Sequence, residues 1–136
     1  MLDRTPENLR QPPTAMAVPR LFISAAHKSS GKTTVAIGLC AALRARGLKV
    51  APFKKGPDYI DPLWLARASG RSCYNLDPHL MPGAGLAELF ARKSLGTDLC
   101  VVEGNKGLYD GMALDGSDSN AAVATALALP PKIVAR

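Results

Sequence analysis

Ile23-Ser24-Ala25-Ala26-His27-Lys28-Ser29-Ser30-Gly31-Lys32-Thr33-Thr34-Val35 is the stretch whose reading decides the fold. It leaves an apolar run, passes through small residues and enters a segment with helical apolar spacing. Gly31-Lys32-Thr33 closes a phosphate-binding loop of the form x-x-x-x-x-Gly-Lys-Ser/Thr. Backbone N–H groups of such a loop and of the first helical turn converge on one polyanion. Small residues from Ser29 to Thr34 let the backbone approach closely. Lys32 reaches the outer phosphates, and the Thr33 hydroxyl takes a place on Mg²⁺. The motif's opening glycine is Ala26 here, which needs ordinary backbone angles because a positive φ is costly for it. A small-residue turn capping a helix through Ser29 or Ser30 is the plainer alternative. A strand before and a helix after favour the nucleotide.

Outward from this loop, the 136 residues allow one domain with a real core. Arg20 to Ala25 reads as a strand buried on both faces, and Thr33 to Arg46 as a helix with Val35, Leu39, Ala42 and Leu43 inward. Gly47 stops that helix, and Leu48 to Phe53 is a second strand. Strand, helix, strand in this order is a parallel unit of nearly fixed handedness. Asp61-Pro62 opens a helix through Trp64, Leu65 and Ala68, with Asp61 as cap, and Gly70 ends it. Arg71 to Pro82 reads as irregular, Gly85 to Leu95 as a helix and Asp98 to Val102 as a third strand. An alanine-rich helix follows Ser117–Asn120 and runs to about Leu129. Pro130 to Arg136 starts like a fourth strand and stops, so the sheet is expected to be incomplete at the C-terminus, with an unpaired edge. Residues 1–19, rich in proline and without periodicity, read as a flexible tail, and 20–136 as a partial ATP-binding domain.

Composition narrows the partners. The net charge of +6 comes from Lys and Arg scattered along helices, and only 5% of residues are aromatic. Both features argue against nucleic acid and for small polyanions. No apolar run reaches membrane-spanning length and the N-terminus lacks a signal core, so no membrane partner and a cytoplasmic address are expected. Cys40, Cys73 and Cys100 lack metal-ligand spacing; Cys40 and Cys100 read as buried small hydrophobes. His27 and His79 lack partners at metal or triad spacing and read as exposed loop residues. Trp64 and Leu65 read as packing.

The loops after the three strands fall at one edge of the sheet, where open parallel sheets bind ligands. Together they carry Lys32, Thr33, Lys54, Asp58, Asp61, Glu103 and Asp110. Phosphoryl transfer needs this inventory: cations for spreading negative charge, hydroxyl and carboxylate for Mg²⁺, and carboxylates to position the attacking group.

Three strings then carry a resemblance: Pro52-Phe53-Lys54-Lys55-Gly56-Pro57-Asp58-Tyr59-Ile60-Asp61-Pro62, Tyr74-Asn75-Leu76-Asp77, and Val102-Glu103-Gly104 with Gly107-Leu108-Tyr109-Asp110-Gly111. From about Leu21 to Leu129 the chain resembles the cobyrinic acid a,c-diamide synthases, ATP- and glutamine-dependent amidotransferases of corrin synthesis. The resemblance implies a dethiobiotin-synthetase-like P-loop domain that phosphorylates a tetrapyrrole carboxylate, after which ammonia displaces phosphate. It implies ATP and Mg²⁺, phosphate contacts from Ser29, Ser30, Gly31, Lys32, Thr33 and Thr34, and a metal side formed by Thr33 and Glu103. Lys54 would neutralise the transferred phosphoryl, with Asp58, Tyr59, Asp61 and Asp110 lining the acyl-phosphate site. Gly104-Asn105-Lys106-Gly107, with Ala26-His27-Lys28-Ser29-Ser30, looks more like the branch associated with dissimilatory sulfite reductase, which is linked to sirohaem amidation. The family's glutaminase domain is absent from the sequence, so ammonia is expected from elsewhere, and a homodimer is a further expected partner. A partitioning- or maturation-type ATPase switch is the alternative class, but its signature lysine position holds His27.

Overall fold

In the computed structural model, which describes residues 18–82 and 84–134, Arg20–Ala25 forms β1 and Lys32–Ala45 forms α1. There follow β2 (Val50–Lys55), α2 (Asp61–Ser69), β3 (Tyr74–Leu76), α3 (Ala84–Ser94), β4 (Leu99–Glu103), α4 (Asn120–Ala126) and β5 (Pro131–Val134). Every strand pair is parallel and the sheet order is β3-β2-β4-β1-β5, so the expected α/β architecture is borne out. β4 lies between β1 and β2, so the first crossover skips one position. The same insertion makes β1, β4 and β2 neighbours, and their carboxyl ends share one edge.

Alternation along each strand sends successive side chains to opposite faces. Ile23, Val50 and Val101 meet Ala36 and Cys40 of α1 and Leu65 of α2. Phe22, Phe53 and Val102 meet Leu86 and Phe90 of α3 and Val123 of α4. Each fully buried Phe, Leu or Val contributes about 1.5–3 kcal/mol, so the central strands hold because both faces are covered. Cys40 and Cys100 are buried as expected, and burial pushes the Cys40 thiol up to about 11. Among the described residues no helix is long and apolar enough to cross a membrane.

Several boundaries differ from the sequence reading. β2 runs to Lys55 rather than ending at Phe53, because Lys54 pairs with Glu103 of β4 and Lys55 with Leu76 of β3. The stretch read as irregular contains β3, three residues held by pairing to β2 and too short for a periodic signal. The buried face of α1 centres on Ala36 and Cys40, while Val35 is exposed. Trp64 is 55% exposed, so of the pair read as packing only Leu65 enters the core. α4 ends at Ala126, before the positive φ of Ala128. The fourth-strand stub is β5, paired with β1. The tail expected over residues 1–19 lies, for 1–17, outside the described residues; Val18 is buried against the sheet and the Pro19 carbonyl accepts from the Cys100 N–H.

Candidate functional site

β1 ends in the buried Ala25, and the chain bends through residues 26–31 before α1 begins at Lys32. Gly31 sits at φ +91°, a left-handed conformation that a side chain would strain, and Ser29 is at φ +60°. Ala26 is not in the left-handed region, as expected. The buried Ser30 donates its hydroxyl to the His27 carbonyl at 2.8 Å and ties the loop together. Ser29 and Thr34 are exposed beside it. Lys32 is 7% exposed at the helix N-terminus. Burial pulls its ammonium below the usual lysine range and nearby Lys54 adds to this, while Glu103, Asp61 and Asp110 oppose it. Among the described residues no carboxylate lies within ion-pair reach of Lys32. A buried, unpaired cation at a helix N-terminus is set to take an anion.

Next to it, Lys54 is the hub of a second cluster. Its Nζ donates to Asp61 Oδ2 at 2.8 Å, to Glu103 Oε1 at 3.0 Å and to the Gly104 carbonyl at 3.1 Å. Asp58 Oδ2 stands 4.0 Å away. Burial alone would lower the Lys54 pKa, but Glu103 and Asp61 together raise it, so the ammonium stays charged. Glu103 is fully buried. Burial pushes its carboxyl up more than the shared ammonium and the Thr33 hydrogen bond pull it down. Thr33 Oγ1 donates to Glu103 Oε1 at 2.5 Å and lies 3.2 Å from Asp61 Oδ2.

Glu103 Oε2 is buried without a hydrogen-bond partner. Such an orphan oxygen is costly unless something fills the gap, and a carboxylate beside a hydroxyl is the hard-oxygen donor set that suits Mg²⁺. Thr33 and Glu103 therefore fit the metal, and the unpaired Lys32 fits the phosphates of a nucleotide.

The remaining expected residues divide. Asp61 was expected to cap α2; instead it is the first helical residue and turns its carboxylate to Lys54 and Thr33. Asp58 satisfies the helix start in its place, with Oδ1 accepting from the N–H groups of Ile60 and Asp61. Asp110 Oδ2 accepts from the Gly107 N–H at 2.8 Å, and its charge reaches Lys32. The Tyr59 side chain is 84% exposed and is not brought into the cluster. His27 and His79 are exposed, as expected.

Asn120 carries weight that the sequence reading missed. Its amide accepts from the Asn105 N–H and donates to the carbonyls of Asn105 and Gly107 (2.7 Å to the latter), clamping the loop after β4 onto α4. Its only sequence signal was a polar residue at the start of an apolar helix. Lys55, the last residue of β2, is also buried, on the face of the sheet opposite Lys54.

A parallel sheet with this loop between its first strand and helix, an unpaired lysine at the helix start and a buried acid on the neighbouring strand defines a P-loop nucleotide-binding domain. Comparison with known families agrees: residues 22–93, just over half of the chain, match the CbiA family, the CobQ/CobB/MinD/ParA nucleotide binding domain. The chain belongs to that family. It is 56% identical over 117 residues to the cobyrinate a,c-diamide synthase of Magnetococcus marinus, covering 86% of this chain and 25% of the relative. It is 53% identical over 119 residues to the hydrogenobyrinate a,c-diamide synthase of Streptomyces coelicolor (87% and 24%). Against the cobyrinate a,c-diamide synthase of Methanosarcina acetivorans the identity is 43% over 120 residues (85% and 24%). The resemblance read from the sequence is thus borne out. The chain spans about a quarter of the length of these curated relatives.

Proposed function

We propose that this chain supplies the ATP-binding part of a ligase that amidates side-chain carboxylates of a tetrapyrrole, of the cobyrinate or hydrogenobyrinate type, through an acyl phosphate. The observation that carries this reading is the buried Lys54 held between Glu103 and Asp61 beside the unpaired Lys32. A carboxylate is a poor acyl donor until one of its oxygens becomes a phosphate leaving group. Lys32 and the loop N–H groups hold the outer phosphates, and Lys54 meets the charge that spreads over the transferred group. Thr33 and Glu103 hold Mg²⁺, which supplies charge neutralisation when bound. Asp58, Tyr59 and Asp110 line the side from which the substrate carboxylate approaches, with Asp61 fixing the Lys54 ammonium. Ammonia, from glutamine hydrolysis at a separate glutaminase domain, then displaces phosphate. A homodimer and a cytoplasmic setting belong to the same proposal.

The first test is calorimetric titration of Mg-ATP into the chain and into Lys32→Ala. Saturable binding that is lost in the variant is expected; equal binding would overturn the assignment of the loop. Incubation of the whole ligase, to which this chain contributes the ATP-binding part, with ATP, an ammonium salt and cobyrinate should then give an amide product by mass spectrometry. ATP turnover without amidated tetrapyrrole would refute the ligase reading. The loop residues Asn105 and Lys106 favour a second reading, sirohaem as the macrocycle, and the same assay with sirohaem decides between the two.

A further inference from the structure

Lys54 and Lys55 are successive strand residues, so their side chains leave opposite faces of the sheet. Lys54 enters the Thr33–Glu103–Asp61 cluster, whereas Lys55 lines a cavity of about 480 Å³ on the other face. Lys55 is 5% exposed. Among the described residues no carboxylate lies within ion-pair distance of its ammonium. The acids sharing the cavity make their hydrogen bonds elsewhere, although the charges of Asp118 and Asp77 still reach Lys55. Asp118 accepts from the N–H groups of Met112 and Ala113, Asp77 from that of His79, and Asp110 from that of Gly107. Asn105, also on the cavity wall, has a buried side-chain oxygen without a partner. The rim adds apolar surface from Pro57, Leu80 and Met112, and a second cation, the exposed Lys106. Asp110 lies on this wall, and its charge also reaches Lys32.

The burial of Lys55, offset only in part by the charges of Asp118 and Asp77 and met by no carboxylate within ion-pair distance among the described residues, costs stability. It is explained if a ligand supplies the counter-charge. We propose that this cavity is a second carboxylate subsite, in which Lys55 holds a non-reacting side-chain carboxylate of the macrocyclic substrate while Pro57, Leu80 and Met112 support its apolar body. The inference rests on the tetrapyrrole reading above and adds the residue that selects among its acidic forms.

The test titrates cobyrinate, and separately its counterpart with every side-chain carboxylate converted to an amide, into the chain, Lys55→Met and Lys55→Arg. Losing one charge-assisted contact should weaken cobyrinate binding by about tenfold to a hundredfold in Lys55→Met, with part of the loss restored in Lys55→Arg. The fully amidated compound should bind all three alike. Lys55→Met should also melt at the same temperature as the unsubstituted chain or higher, which a structural ion pair would not allow. Cobyrinate binding Lys55→Met as tightly as the unsubstituted chain would overturn the subsite and leave the ligase reading standing. Mg-ATP binding without any corrin binding to the unsubstituted chain would overturn both.

Discussion

Replacing Lys54 by Met is the sharpest perturbation of the cluster. The side-chain volume is kept, but Glu103, fully buried, loses the ammonium 3.0 Å from Oε1 and keeps only the Thr33 hydroxyl. Lys54 and Glu103 are 4% and 0% exposed, so screening by water is slight. At 3.0 Å and an effective dielectric near 20 their attraction is about 5 kcal/mol. Breaking a buried pair by removing one partner typically costs about 3–5 kcal/mol, because the other charge is left uncompensated. Against a domain stability of about 5–15 kcal/mol, that loss is a large fraction. Urea unfolding followed by far-ultraviolet circular dichroism measures it. Adding Glu103→Gln removes the stranded charge, so the double variant should be more stable than Lys54→Met alone. A loss below about 1 kcal/mol for Lys54→Met, or no recovery in the double variant, would refute the account of Lys54 as the counter-charge of Glu103.

Two further outcomes follow from the same geometry. Asn120→Ala removes three hydrogen bonds from the loop after β4 and should cost about 3 kcal/mol in urea unfolding; unchanged stability would show that the loop holds its shape without the clamp. Burial lowers the Lys55 pKa more than Asp118 and Asp77 raise it, and Lys106 lowers it further. The unfolded chain therefore binds more protons at this residue than the folded one, and Lys55 makes stability rise with pH between its lowered folded value and the ordinary 10.5. Any stability advantage of Lys55→Met should shrink as pH rises through that window, and unfolding curves in which the advantage grows would contradict the desolvated ammonium.

The loop from Ala26 to Thr33 was legible in the sequence because its chemistry is local. Small residues, Gly31 and Lys32 have to be contiguous to wrap a phosphate, and the flanking apolar run and helix supply the context. The ends of β2 and the existence of β3 were not legible for the opposite reason. Two consecutive lysines read as loop, and only the partners Glu103 and Leu76, remote in sequence, carry the ladder through them. Asp61 before Pro62 matches a capping pattern, yet a buried ammonium 2.8 Å away outbids the backbone N–H groups, which Asp58 then serves. Asn120 was missed because its partners, Asn105 and Gly107, sit more than ten residues earlier in a loop with no periodicity.

The register between β2 and β4 ties these points to function. Lys54 lies directly opposite Glu103 across the parallel pair, with Phe53 opposite Val102. A slip of β2 by one residue would send Lys54 to the Phe90 side and Phe53 to the α1 side, exchanging a buried cation with a buried ring on both faces at once. The apolar alternation Val50, Pro52 against Ala51, Phe53 therefore fixes which lysine meets Glu103, and leaves the next lysine to the cavity on the far face. The proposed reaction, which joins a phosphate donor to a bulky acid, has the same requirement. The two reactants need cations that cannot be confused with each other, yet they must meet at one edge. On the proposed reading, adjacent residues on a strand buried on both faces supply those two cations with no extra chain.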